Sequence, residues 1–202
     1  MSRARARRRL VTLAWAAGCA LTTMGAPAVG AAGKTVAPVR VALAVRWGAG
    51  AGSDAFRDEL ARSAAATLAT RCFAAVVIAD AEPWPEDTDL VLRVDLSDVV
   101  DETRFEDSIA GALQPGEPTK ELRRVAHFEM TVDATLSTRL TERSVARKHF
   151  AVSAYRRPVY IGEDPQDYVR VQAITDVVDD LRRGLGCGGT KLDRKIREAL
   201  KE

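Results

Sequence analysis

Residues 90–100 read LVLRVDLSDVV, and this stretch decides the fold class. Its alternate positions are apolar over four repeats, at Leu90, Leu92, Val94 and Leu96. The positions between them are polar, at Arg93, Asp95 and Ser97. Successive side chains of a β-strand point to opposite faces, so a period of two predicts a strand with one buried face and one wet face.

The same alternation recurs twice downstream. Residues 128–136 are apolar at every second position, namely Phe128, Met130, Val132, Ala134 and Leu136. Residues 150–154 repeat the pattern with Phe150, Val152 and Ala154. Three alternating strands in succession predict an antiparallel meander with one wet face. Residues 105–121 contain two glycines and two prolines, so we predict a loop there.

A strand, a helix and a second strand are predicted before the meander. Residues 39–47 (VRVALAVRW) and residues 73–78 (FAAVVI) are the two strands. The helix between them begins after Ser53, a favourable N-cap, and ends near Arg71. Its apolar stripe at helical spacing consists of Phe56, Leu60, Ala64, Thr67 and Leu68.

Asp164-Pro165 indicates the start of a second helix, with Asp as the N-cap and Pro in the first position. Its predicted buried stripe consists of Tyr168, Val171, Thr175, Val178 and Leu181. Four glycines between positions 184 and 189 end this helix. Residues 190–202 are predicted to form a charged, amphipathic helical tail.

The predicted order is therefore β-α-β-β-β-β-α, followed by the tail. Two helices with one apolar stripe each can cover one face of a sheet. We predict an α+β fold, a two-layer sandwich whose mixed, mostly antiparallel sheet carries both helices on one face. Residues 34–189 form this single domain, and the other face of the sheet is expected to be polar.

Residues 1–33 have the pattern of a signal peptide. Five arginines lie within the first nine positions, and residues 10–32 are uncharged and end in small residues. The alternative is a retained transmembrane helix, because the uncharged run exceeds about 20 residues. The residues before Cys19 resemble a bacterial lipobox, which makes Cys19 a lipidation candidate. The alternative is cleavage near Ala31.

Charge and cysteine count fit export. The whole chain carries a net charge of +2, but residues 34–202 hold 25 basic and 28 acidic residues, a net charge of −3. A mildly acidic domain does not fit nucleic-acid binding. Cys72 and Cys187 are the two cysteines left after Cys19, and in an oxidising compartment an even pair predicts a disulfide. The alternative is two buried free thiols.

No catalytic, cofactor-binding or metal site is predicted, and no cofactor is expected. The glycine-rich residues 48–53 lie between a strand and a helix but lack the third glycine of a dinucleotide loop. His127 and Glu129 alternate on one strand face. The chain has only two histidines, however, and zinc takes three or four ligands. His127 and His149 are therefore interpreted as surface residues.

Charges of opposite sign concentrate in two segments. Residues 80–107 hold eleven acids, whereas residues 139–157 hold six basic residues and one acid. We predict cross-strand ion pairs between the two segments. The alternative is a bipolar docking face.

The chain resembles a group of small bacterial envelope domains. Residues 39–47 with the helix after Ser53, residues 89–102 and residues 134–154 carry the resemblance. The group includes the N-terminal domain of the Tol-system propeller protein, the curli-secretion lipoprotein and the auxiliary lipoproteins of envelope ABC transporters. The resemblance implies a protein that acts through its surfaces, and it transfers no functional residue.

These observations predict an exported, non-catalytic accessory or binding domain of the cell envelope, acting in a transport or assembly complex. The expected location is periplasmic or secreted, or lipid-anchored. The expected partner is an envelope protein or a lipid, and membrane contact is expected only through Cys19 or an uncleaved signal. The alternative is an exported hydrolase that uses carboxylates among Asp95, Glu129 and Asp133 on the open sheet face.

Overall fold

A five-stranded mixed sheet with three helices forms the structure, a computed structural model that describes residues 37–48, 52–80, 82–110, 119–156 and 164–201. For residues 105–110 and 119–124 it describes the backbone alone. The elements are β1 (Ala37–Trp47), α1 (Asp54–Arg71), β2 (Phe73–Ile78), β3 (Leu90–Ala110), β4 (Thr119–Thr138), β5 (Ser144–Arg156), α2 (Pro165–Leu185) and α3 (Thr190–Ala199). The open sheet confirms the predicted α+β class. The predicted signal peptide and Cys19 lie outside the described residues.

The strands are ordered β2-β1-β3-β4-β5. β1 pairs in parallel with both β2 and β3, and α1 connects the parallel strands β1 and β2. The pairs β3–β4 and β4–β5 are antiparallel, which confirms the predicted meander. The end of the sheet at which β1 begins and β4 finishes is called the lower end.

Both long helices cover one face of the sheet, here called the inner face. The alternating residues of β3 and β4 are buried there, with Leu92 and Met130 at 0% exposure. The ring of Phe56 on α1 stacks between Trp47 and Phe128, with ring centroids 6.1 Å and 4.9 Å apart. Burial of these apolar side chains is the main term that stabilises the two layers.

α2 is capped as the sequence predicts, but it presents a different stripe to the sheet. The side chain of Asp164 accepts a hydrogen bond from the Gln166 backbone N–H. The buried residues of the stripe include Val169, Ala173, Val177, Leu181 and Leu185. Tyr168 and Val171 are 46% and 63% exposed, so the predicted stripe is wrong on that side. The helix carries apolar residues on two adjacent faces, and periodicity alone does not choose between them.

A β-bulge in β3 explains the rotation of α2. The register with β4 shifts between Ser97 and Val100, and Asp98 adopts a positive φ of 52°. A bulge re-aims the side chains that follow it. Asp101 therefore faces α2, where its carboxylate accepts hydrogen bonds from the side chains of Gln166 and Arg170. These bonds favour the observed rotation of the helix.

The predicted loop over residues 105–121 is wrong at both of its ends. β3 continues to Ala110 and β4 begins at Thr119, with these two residues paired. All the glycines and prolines behind that prediction lie in residues 111–118, which are outside the described residues. β5 pairs with β4 only as far as Arg156 and Ala126. Residues 105–110 and 119–124 therefore form a two-stranded arm about 20 Å long, at about 3.3 Å per residue.

A disulfide and α3 close the lower end. Cys72, directly after α1, is bonded to Cys187 in the turn after α2, with a Cα–Cα distance of 4.7 Å. Leu192 and Ile196 of α3 belong to the main core, so the residues beyond 189 pack against the domain. Among the described helices, none has the length and apolar character needed to span a bilayer.

Candidate functional site

The sheet face opposite α1 and α2, the outer face, divides into a covered and an open half. Over β1 and β3 the segment of residues 82–88 lies on the sheet. Its Trp84 is only 8% exposed and forms a second, small apolar cluster with Ala42, Ala44 and Val91. The prediction of a polar outer face is therefore wrong for this half, because small side chains on β1 leave room for an indole ring.

Arginine side chains hold Trp84 in place. The guanidinium groups of Arg46 and Arg93 lie 5.6 Å and 5.4 Å from the centroid of the Trp84 ring, within cation–π range. Arg93 also donates a hydrogen bond to Glu82 (2.9 Å) and one to Glu142 (3.2 Å) in the β4–β5 turn. The Trp84 indole N–H donates to Glu82 at 3.2 Å. In the covered half, the polar groups around Trp84 are thus largely hydrogen-bonded to one another.

A row of charged residues crosses four strands of the outer face and extends from the covered half into the open half. Arg46, Asp95, Asp133 and His149 are successive register partners on β1, β3, β4 and β5. His149 Nδ1 lies 3.0 Å from Asp133 Oδ1, within hydrogen-bonding distance. Side chains directly opposite in a sheet have Cβ atoms about 5 Å apart, so Asp95 and Asp133 are like-charged neighbours.

A second charged group lies further along the same face. His127 is 17% exposed and stands between two glutamates. Its Nδ1 is 3.7 Å from Glu102 Oε1, and its Nε2 is 3.7 Å from Glu129 Oε2. These separations exceed a hydrogen bond, so the contacts are electrostatic. Within the part of the chain that the structure describes, no three His, Cys, Asp or Glu residues are arranged to hold a metal ion.

The three carboxylates of the hydrolase alternative do not converge. Asp95 and Asp133 are opposite each other, but Glu129 is four residues from Asp133 along β4, about 13 Å at the rise of a strand. Glu129 faces His127 instead. Asp95 is exposed to solvent. A hydrolytic site on this face would therefore rest on two of the three predicted residues.

Direct cross-strand ion pairs between β3 of the acidic segment and β5 of the basic segment, as predicted, are ruled out by the strand order. β4 lies between β3 and β5, so these strands are not neighbours. The ion pair observed between the two segments has the opposite polarity, with Arg93 of the acidic segment bound to Glu142 of the basic one. The charges of β5 on the outer face are consequently left for other contacts.

Three large polar side chains of β5 project from the open half, and we call them the β5 patch: Arg147, His149 and Tyr155. They alternate along the strand on the outer face, opposite Thr135, Asp133 and His127. The side chain of His149 is 67% exposed and Tyr155 is 50% exposed. Sequence reasoning missed Tyr155 as a surface residue of this face. Continuing the period of two along β5 would have placed Tyr155 on the same face as His149.

Solved structures resemble this fold although their sequences differ. A putative neuraminyllactose-binding hemagglutinin homolog from Helicobacter pylori is 14% identical, with a TM-score of 0.50 over 84% of this chain and 96% of that one. The two chains share a fold. Uncharacterized lipoprotein B from Nitrosomonas europaea is 15% identical, with a TM-score of 0.44 over 81% of this chain and 92% of the other. Rare lipoprotein B from Shewanella oneidensis is 16% identical, with a TM-score of 0.36 over 73% and 93%.

Neither a protein-family model nor a curated protein matches the chain. The three structural neighbours are bacterial proteins, and two of them are lipoproteins. The resemblance to the Tol-system, curli-secretion and ABC-transporter families is not confirmed by these matches and stays a prediction.

Proposed function

We propose that the protein is an exported, non-catalytic accessory domain of the bacterial cell envelope that binds a partner protein through the β5 patch. The observation that carries the proposal is the division of the outer face. Trp84 covers its β1–β3 half, whereas Arg147, His149 and Tyr155 lie on the β4–β5 half as solvent-exposed side chains.

The composition of the patch supports a protein partner. Tyrosine and arginine are enriched at protein interfaces, because each combines a large contact area with hydrogen-bonding groups. The bond between His149 and Asp133 holds one side chain of the patch in a defined position. Because this side chain is already held in position, it loses less conformational entropy when a partner binds.

The comparisons support an envelope role in broad terms. The protein from Helicobacter pylori with the same fold is described as a homolog of a hemagglutinin, which is a binding protein. At 14% identity this likeness concerns the fold, and the partner class is our proposal. The transport or assembly complex and the periplasmic or lipid-anchored location belong to the same proposal, as does acylation at Cys19. The mass of the mature N-terminal peptide tests the location and the acylation.

The hydrolase alternative rests on one specific observation, the opposition of Asp95 and Asp133 in register. The variant Asp95→Asn separates the two functions, because it removes one of the two opposed carboxylates and leaves the β5 patch and the bond between His149 and Asp133 intact. Under our proposal, this variant retains its partner and complements a deletion strain. Loss of complementation with the partner still bound would favour the hydrolase.

Site-specific photo-crosslinking tests the proposal in the cell that produces the protein. A photoreactive residue is placed at Tyr155, and the matched control carries it at Tyr168, which is on α2 and similarly exposed. We expect one defined adduct from position 155, with the same protein captured from position 147, and none from position 168. No adduct at 155, or the same adduct at 168, would contradict the proposal.

A further inference from the structure

The outward side of α3 is a basic surface. Residues that recur at helical spacing form a shallow groove of about 540 Å³ there, lined among others by Lys191, Arg194, Arg197, Glu198 and Lys201. Leu192 and Ile196 on the opposite side are buried in the core, which fixes the rotation of the helix. The groove therefore has four basic residues and one acidic residue. We call these four cations the α3 stripe.

The charge of α3 and the two residues after it contrasts with that of the whole domain. Residues 190–201 contain five basic and two acidic residues, a net charge of +3, whereas residues 34–202 together carry −3. Arg194 lies 3.9 Å from Glu198. Within the described residues, neither Lys191 nor Lys201 forms an ion pair. The positive charge is thus concentrated on one helix and is only partly neutralised.

The chain enters the domain beside this stripe. Ala37 and Pro38, the first residues of β1, line a second groove of about 640 Å³ together with Ile196, Arg197 and Lys201. The 36 residues that precede Ala37 include the uncharged run of residues 10–32. Cys19 is 18 residues from Ala37, and an extended chain of that length spans about 60 Å.

We propose that the α3 stripe docks on the anionic headgroups of a lipid bilayer. Two observations carry the proposal: the concentrated positive charge of α3, and the entry of the chain at the same end of the domain. A bilayer that holds the N-terminal segment, through acylation or an uncleaved apolar run, would be within reach of the stripe. The proposal concerns the lower end of the domain and does not depend on the β5 patch.

Docking of this kind is electrostatic. Each basic residue close to an anionic membrane surface strengthens binding by about fivefold. The attraction disappears within a Debye length, which shortens from about 10 Å in 0.1 M salt to about 3 Å in 1 M salt. The stripe therefore predicts binding that requires anionic lipid and is abolished by salt.

Lysine footprinting on vesicles tests the proposal with the full-length chain. The protein is floated with vesicles of phosphatidylcholine alone, or with about a third of the lipid replaced by phosphatidylglycerol. Amine acetylation is then quantified by mass spectrometry at Lys191, Lys201 and Lys148. Lys148 is the internal reference, because it lies on β5 beside Gly184 of α2 and is not part of the α3 stripe.

We expect phosphatidylglycerol to slow acetylation of Lys191 and Lys201 about threefold or more, to leave Lys148 unchanged, and to lose this effect in 1 M salt. Equal protection of all three lysines, or equal rates on both vesicles, would overturn the proposal. Failure of the protein to float with the vesicles that contain phosphatidylglycerol would overturn the proposal too.

A matched pair of variants separates the stripe from general charge. Arg194→Gln with Arg197→Gln removes two cations of the stripe, whereas Arg62→Gln with Arg104→Gln removes two exposed, ion-paired cations elsewhere. We expect the first variant to bind phosphatidylglycerol vesicles on the order of 20-fold more weakly and to lose the lipid-dependent protection of Lys191 and Lys201. The second variant should retain both. The same loss in both variants would contradict docking by α3.

Discussion

The two faces of the sheet differ in what their residues do for the fold. On the inner face, alternate positions of β3 and β4 are apolar and almost fully buried against α1 and α2. On the outer face, Trp84 buries one half, whereas the β5 patch of the other half remains exposed. The inner face and the covered half stabilise the fold. The open half buries less apolar surface, and its large polar side chains are exposed to solvent.

The largest expected effect comes from the inner face. Phe128 is 1% exposed and stacks on Phe56, so Phe128→Ala should lower the free energy of unfolding by about 3–5 kcal/mol, through lost burial and a cavity. Denaturant titration measures the change. Tyr155→Ala on the outer face is the control and should cost about 1 kcal/mol or less, because this side chain is half exposed. Similar losses in both variants would erase the distinction between the faces.

The disulfide is expected to have the next largest effect, because it joins the ends of the two helices that cover the inner face. It closes a loop with a sequence separation of 115 residues, and its loss should destabilise the fold by about 2–5 kcal/mol. Cys72→Ser with Cys187→Ser should unfold at lower denaturant than the oxidised wild type. Wild type treated with a reductant should match the variant. Equal stability of all three samples would show that the bond does not stabilise the fold.

The covered half of the outer face is expected to have a smaller effect. Trp84→Ala removes a small apolar cluster and two cation–π contacts, and should cost about 2–3 kcal/mol. Trp84→Phe keeps an aromatic ring between Arg46 and Arg93 and should recover part of the loss. If Trp84→Ala unfolds at the same denaturant concentration as Tyr155→Ala, the outer face does not divide into two halves.

The inner layer was predictable from sequence because one physical rule determines it. Strands with one buried face alternate apolar and polar residues, and β3, β4 and β5 follow this rule. The α2 stripe was not predictable, since its rotation depends on Asp101, which the bulge at Asp98 turns towards the helix. Turn-forming residues indicated a break between β3 and β4 but not how far the strands continue on each side of it.

The outer face was harder to predict, because its character depends on strand order. The sequence does not show that β4 separates β3 from β5, so cross-strand pairs between the acidic and basic segments were a reasonable but wrong expectation. Nor does it show that residues 82–88 fold back over Ala42 and Ala44. The β5 patch could be derived in part, since the alternation along β5 places His149 and Tyr155 on one face.

Two measurements on one variant, Arg147→Glu with Tyr155→Ala, test most directly whether the β5 patch binds a partner without being needed for the stability of the fold. The free energy of unfolding is measured by denaturant titration, and the partner is quantified after chemical crosslinking in cells and purification. We expect a stability within about 1 kcal/mol of wild type and a loss of at least about tenfold in recovered partner. Arg62→Gln with Val171→Ala, at two exposed positions on α1 and α2, should change neither. A variant as destabilised as Trp84→Ala, or one that recovers its partner at the wild-type level, would contradict the account.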